Sequence, residues 1–225
     1  CKGVCERVSE VRTTALKDPA LCPDGECLDP IMLKDLDQRL AELPAEQRSR
    51  GTVVVMHQMG SHGPAYYKRS AQALKKFQPE CTSTNLQECT QEQVVNAYDN
   101  SIVQTDQFLD SVLNWLSDQS DKAQTAMIYV ADHGESLGEN NIYLHGLPYS
   151  IAPDVQKHVP WITWLSPAMQ ARTHVTTGCL QQDVAQRRVT HDNYFHPVLG
   201  LMDVQTGAYS PALDMFAGCR QQPNG

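Results

Sequence analysis

At 225 residues the chain is long enough to bury one sizeable core. Hydrophobic residues make up 41% and charged ones 20%, a soluble, globular balance, and a net charge of −8 argues against non-specific nucleic-acid binding, which needs a basic surface. No apolar run approaches the ~18 residues of a membrane-spanning helix.

The chain opens on Cys1-Lys-Gly-Val-Cys5 without a methionine, which we read as a cut end. Eight cysteines fall at 1, 5, 22, 27, 81, 89, 179 and 219. The even count and polar surroundings favour disulfides and an oxidising compartment over a zinc site, since none of the close pairs is a Cys-x-x-Cys with a second such pair or a His-x-x-x-His nearby. Neighbour pairing, with Cys179 and Cys219 left over, is the simplest of many connectivities.

In chain order, the first 30 residues suggest a stapled surface loop. A helix is then expected with Asp29 as N-cap, Pro30 at its first position, and Ile31, Leu33, Leu36 and Leu40 on its apolar side, ending at Pro44. Thr52–Met56, rich in β-branched residues, predicts a buried strand. From about Gln91 to Ser117 a long helix is expected. Thr90 and Gln93 form its capping box, and Val94, Tyr98, Ile102, Thr105, Leu109, Val112 and Leu116 its buried stripe. Ala126–Val130 predicts a second buried strand, Val159–Leu165 a third, and Thr190 caps a helix running to about Met202. Strand, long helix, strand is a βαβ-type crossover, so the expected class is α/β: one domain, with a mostly parallel sheet and helices on both faces.

Two clusters carry the chemistry: His-Gln-Met-Gly-Ser-His-Gly-Pro at 57–64, and Val-Ala-Asp-His-Gly-Glu-Ser-Leu-Gly-Glu at 130–139 with Leu-His-Gly at 144–146. Each follows an apolar run, and open α/β sheets build sites at the carboxyl ends of their strands. Asp132 and His133 can converge on one metal because the backbone turns there, and oxygen plus nitrogen ligands suit zinc, or manganese less well. His145 can loop back over the same strand end, while His62 follows the other strand. The plainer alternative is that His62 and His145 only bond loop carbonyls. His57 is a candidate to orient its neighbours, and His191-Asp192 reads as the first turn of a helix, where Asp is favoured. His158, His174 and His196 lack companions, and Trp161 and Trp164 read as packing.

With those residues in view, the chain resembles the lipid A phosphoethanolamine transferases of Gram-negative bacteria, the family that includes mobile colistin-resistance enzymes. The likeness runs through 57–69, Asn-Ala-Tyr-Asp-Asn at 96–100, 130–139, 143–146 and Thr-His-Asp-Asn at 190–193. Asp-His-Gly-Glu alone points only to the wider alkaline phosphatase and sulfatase superfamily.

The resemblance implies the C-terminal portion (1–225) of a periplasmic catalytic domain tethered to the inner membrane, with its N-terminal part elsewhere. It implies zinc on Asp132 and His133, with a glutamate and a nucleophilic threonine as further ligands N-terminal to this segment. His62 and His145 would hold substrate phosphate or a second zinc. Thr13 and Thr14, in a charged stretch, do not match the nucleophile turn. Phosphatidylethanolamine is the implied donor and lipid A phosphate the acceptor, with the reaction passing through a phosphoenzyme, and the cysteine pairs fit periplasmic disulfides. Transfer to another envelope acceptor, ester hydrolysis, and a non-enzymatic zinc-binding module needing a partner chain are the competing readings.

Overall fold

A computed structural model describes residues 8–184 and 188–220. In chain order its regular elements are α1 (Leu36–Ala41), α2 (Ala45–Ser49), α3 (Gln91–Asp118), β1 (Ala126–Val130), β2 (Ser136–Leu137), β3 (Tyr143–Leu144), β4 (Trp161–Leu165), α4 (Pro167–Thr173), α5 (Thr177–Val184), α6 (Phe195–Leu201) and α7 (Ala217–Arg220), joined by short 3-10 turns. The chain divides into two compact units, one of Cys1–Val112 with His133–Val159, the other of Leu113–Asp132 with Pro160–Gly225.

In the first unit the expected helix from Asp29 is broken. Asp29–Leu33 is a 3-10 turn, and the chain reverses at Asp35, which adopts a left-handed φ of 54° before α1. Pro44 does not close this helix but precedes the first residue of α2. Asp29 caps nothing. Its two carboxylate oxygens accept from Met59 N and Gly60 N, each at 2.9 Å, and so fix the turn that leads to His62. Burial pushes the Asp29 carboxyl above the ordinary range, against the pull of those two bonds.

Helix α3 forms as expected. Thr90 N donates to Gln93 Oε1 at 2.9 Å and Gln93 N to Thr90 Oγ1 at 3.2 Å, which satisfies two orphan donors of the first turn. Its buried side differs from the apolar stripe, since Ile102 is 44% exposed while Asn100 and Gln104 are buried. Both amides serve the irregular segment 71–80. Asn100 accepts from Phe77 N and donates to Phe77 O and Glu80, and Gln104 accepts from Ala71 N. Glu80 also pairs with Lys75 at 2.5 Å, both side chains nearly enclosed. Val94 and Ala97 pack with Tyr66, Cys81 and Leu86 into this unit's core, over the Cys81–Cys89 disulfide.

The second unit is built on an antiparallel β1–β4 ladder with Ala126 opposite Leu165 and Val130 opposite Trp161. Ser166 locks its end: it is fully buried, its Oγ accepts from Thr125 N and from Met169 N as N-cap of α4, and its own N donates to Thr125 O. Leu165, Met169, Val175, Leu201, Met215 and Phe216 form the core, closed by the Cys179–Cys219 disulfide. Cys22–Cys27 is likewise bonded, and Cys1 and Cys5 lie outside the described residues. The expected helix from Thr190 is divided into a 3-10 turn, His191–Asn193, and α6, with the Thr190–Asn193 capping box in place.

Helices and strands mix as an α/β chain should, and among the described residues no parallel ladder forms. Both ladders, β1–β4 and β2–β3, are antiparallel. The expected first strand, Thr52–Met56, is irregular, with Val53, Val54 and Val55 at 54%, 40% and 59% exposure. A parallel crossover needs both of its strands laddered, and this run has no ladder partner among the described residues.

Candidate metal centre

Three histidines from three stretches of the first unit converge. The ligating nitrogens of His62, His133 and His145 all lie within 4.8 Å of one another. The rings of His133 and His145 stack with centroids 3.7 Å apart, and His62 stands edge-on to His145 at 5.0 Å and to His133 at 5.9 Å. Local backbone places them. His62 follows the turn that Asp29 grips. His133 is set by Gly134, whose N donates to Gln156 O at 3.0 Å and where any Cβ would collide with the Val155 carbonyl. His145 sits between Leu144, at a left-handed φ of 63°, and Gly146 at 103°, a reversal that a glycine makes without strain.

Each ring is oriented through Nδ1. His62 Nδ1 donates to Gly63 O at 2.7 Å and His133 Nδ1 to Gly134 O at 3.0 Å. A carbonyl can only accept, so this network assigns the proton to Nδ1 and the lone pair to Nε2, the tautomer a metal requires. His145 Nδ1 instead meets Glu135 Oε1 at 3.1 Å. A carboxylate behind an imidazole fixes the ring and raises its basicity, the usual support of a metal-bound histidine. Three such imidazoles fit a first-row metal such as zinc, with shorter N···N separations once ligated.

Glu135 is the hub. Its side chain is 4% exposed and also accepts from Gly63 N at 3.3 Å and Tyr66 Oη at 3.2 Å. Burial, then the neighbouring Glu135 charge, pushes the Tyr66 hydroxyl far above its usual range, so Tyr66 remains a donor. Glu135 shares a cavity of about 390 Å³ with Glu139, Asp154, Tyr98 and His158. Those carboxylates disfavour an anion in the cavity.

The other sequence candidates lie elsewhere. Asp132 is exposed, belongs to the second unit, and is not part of the three-histidine group. His57 is exposed, and its charge acts on Asp29. In the second unit, His191 Nε2 contacts Ala131 O at 2.8 Å, a backbone role as expected of a first-turn histidine. His196 is buried and accepts from Ser210 N. Sequence reasoning placed Glu135 near the site without giving it a role; its position directly after Asp-His-Gly was the available signal.

The sulfatase family pattern matches residues 3–204. The chain belongs to the sulfatase family. Within it, phosphoethanolamine transferase EptA of Salmonella typhimurium is 45% identical over 221 residues, covering 98% of this chain and 40% of that protein. Phosphatidylethanolamine transferase Mcr-1 of Escherichia coli is 36% identical, over 90% of this chain and 36% of its own length. The solved soluble domain of lipooligosaccharide phosphoethanolamine transferase A from Neisseria meningitidis superposes with a TM-score of 0.90 at 41% identity, covering 99% of this chain and 65% of that domain. The chain thus spans about two fifths of the length of the curated EptA relatives it matches. Among its described residues no helix is long and apolar enough to cross a membrane.

Proposed function

We propose that residues 1–225 are the C-terminal portion of a periplasmic catalytic domain that transfers phosphoethanolamine from phosphatidylethanolamine to a lipid A phosphate. The observation that carries this reading is the convergence of His62, His133 and His145 around the Glu135 hub, in a chain so similar to named phosphoethanolamine transferases. A periplasmic placement is supported by the three disulfides among the described residues and by a 36% identical relative solved as the C-terminal periplasmic domain of EptC from Campylobacter jejuni. Attachment to the inner membrane is supported by the matching integral membrane protein from Neisseria meningitidis.

In this reading His133, with Asp132, holds zinc, and His62 and His145 hold substrate phosphate or a second zinc. Zinc, when bound, supplies Lewis acidity toward phosphoryl oxygens. His145 is held through Nδ1 by Glu135, which leaves Nε2 as the ring atom available to the site. His62, oriented by its bond to Gly63 O, donates or accepts at Nε2 without turning its ring. The nucleophile is a threonine supplied from outside this segment. Its oxygen bonds to phosphorus as the bond to the diacylglycerol oxygen breaks, the hydroxyl proton going to the departing diacylglycerol; a lipid A phosphate oxygen then displaces the threonine, whose oxygen takes a proton back.

The test is a graft. Residues 1–225 replace the matching segment of Salmonella EptA in cells lacking their own enzyme, and lipid A is weighed by mass spectrometry. A phosphoethanolamine adduct is expected from the graft and its loss from His133→Ala and His145→Ala versions. Unmodified lipid A from a folded, membrane-localised graft overturns the proposal.

A further inference from the structure

Gln156 is a buried polar residue in an otherwise exposed turn. It ends the 3-10 turn Asp154–Gln156, whose Asp154 and Val155 face solvent, yet it is itself only 6% exposed. Enclosing an amide is costly unless its hydrogen bonds are made inside. Gln156 makes two, both to the motif that carries the metal centre. Its carbonyl accepts from Gly134 N at 3.0 Å, and its Nε2 donates to Ser136 Oγ at 2.9 Å. Ser136 is fully buried. The turn and the motif touch closely here, since a Cβ on Gly134 would stand 2.0 Å from Val155 O.

Between the two gripped residues stands Glu135, whose carboxylate holds Gly63 N, Tyr66 Oη and His145 Nδ1. Fixing the backbone on either side of Glu135 sets where its Cα–Cβ bond points, and with it which groups the carboxylate can reach. The grip extends further. Gly134 directly follows His133, and Ser136 lies opposite Leu144 in the β2–β3 ladder, one residue before His145. Gln156 is thus bonded next to the arms of two histidines, and Glu135 carries the constraint to Gly63 beside the third.

We propose that Gln156, with Ser136, is a positioning residue of the metal centre, acting through Glu135 and through the backbone of His133 and His145. The proposal rests on the reading of His62, His133 and His145 as a metal site. It gives the 154–156 turn a task beyond stability. A turn stapled only for stability would change unfolding and leave the affinity of the folded centre alone.

The experiment compares the 225-residue chain with Gln156→Met, Ser136→Ala and the double variant. Gln156→Met keeps the carbonyl bond to Gly134 and removes the donor to Ser136, and Ser136→Ala removes the acceptor. Gln104→Ala serves as comparison, since Gln104 is another buried amide of the first unit, bonded to Ala71 N. Helical circular dichroism checks that each is folded; should Gln156→Met lose it, Ser136→Ala carries the test. Zinc affinity in titration calorimetry should fall about tenfold in each single variant and no further in the double, because the same bond is lost each time. Exchange of the Gly63 amide, measured without metal, should quicken about tenfold in the same three proteins, since that N–H is bonded to Glu135. Gln104→Ala should lower the unfolding midpoint and leave both readings unchanged.

Unchanged Gly63 exchange in folded Gln156→Met and Ser136→Ala proteins overturns the proposal. Equal losses in Gln104→Ala overturn it too, because they would mean general loosening of the unit. Additive losses in the double variant also overturn it, since the two residues would then act apart. An unsubstituted chain that takes up no zinc refutes instead the metal reading of the histidines, and Gly63 exchange still decides whether Gln156 positions Glu135.

Discussion

Ala126–Val130 and Thr52–Met56 look alike as sequence, five residues of mostly branched or aromatic character ahead of a histidine-bearing turn, yet only the first is a strand in this chain. Ala126–Val130 has β4 on its edge, Leu165 and Met169 in the core beside that ladder, and Ser166 to close its end. Thr52–Met56 has none of these, and its valines face solvent. The difference teaches that β-propensity describes fit to a half-buried pleated surface and creates no such surface by itself. A helix such as α3 bonds its own backbone, whereas a strand must wait for a neighbour.

The largest effect that would test this contrast comes from the core beside the paired strand. Leu165→Ala should cost about 3 kcal/mol in chemical unfolding of the second unit, because Leu165 is 7% exposed and its cavity has rigid walls. A loss under about 1 kcal/mol would mean that the ladder is no better packed than the valine run. Glu135→Gln should weaken zinc binding by the chain about 10- to 100-fold in titration calorimetry, with the helical circular dichroism retained. Unchanged affinity would show that His145 needs no carboxylate behind it.

Ser166→Ala should cost about 1–2 kcal/mol, since it strands Thr125 N and Met169 N together, and exchange at both amides should rise. Val54→Ala is the counterpart in the unpaired run, and in the chain alone its effect should stay within about 0.5 kcal/mol. A cost comparable to that of Leu165→Ala would show that the run is packed after all.

The smallest effect is on pH dependence. Burial raises the Asp29 carboxyl in the folded chain, so folded protein holds that proton to higher pH than unfolded protein does. The group's contribution to stability is therefore complete below the ordinary carboxylate range and lost as pH rises through its raised value. Asp29→Asn should flatten the stability profile there, and a slope unchanged by the substitution would assign it to other carboxyls.

What could be read in the sequence was what local chemistry determines. The capping box of Thr90 and Gln93, the glycine-bounded turns of His62, His133 and His145, and the neighbouring cysteine pairs of 22–27 and 81–89 all announce themselves within a few residues. Burial of Asn100 and Gln104 did not, because their partners are backbone groups of an irregular segment, and apolar periodicity is blind to amides that face such groups. The break at Asp35 hid within a plausible helical pattern. The roles of Asp29 and Glu135 were hidden by distance: Asp29 binds Met59 30 residues on, and Glu135 reaches 72 residues back to Gly63 and 69 to Tyr66. In the same way the β-branched run Thr52–Met56 suggested a buried strand, but no composition could show that it lacks a ladder partner among the described residues.

The Glu135 carboxylate has one more consequence. Gly63 and Tyr66 reach it from one stretch of the chain and His145 from another, so these bonds form together only once both stretches have met Glu135. The imidazole of His145 is accordingly a built-in reporter. Its Nδ1 proton resonance should appear only in molecules whose 145 loop has seated on Glu135, and should sharpen together with that of the Tyr66 hydroxyl. Watching one ring would then give the assembled fraction of the whole centre, before any metal is added.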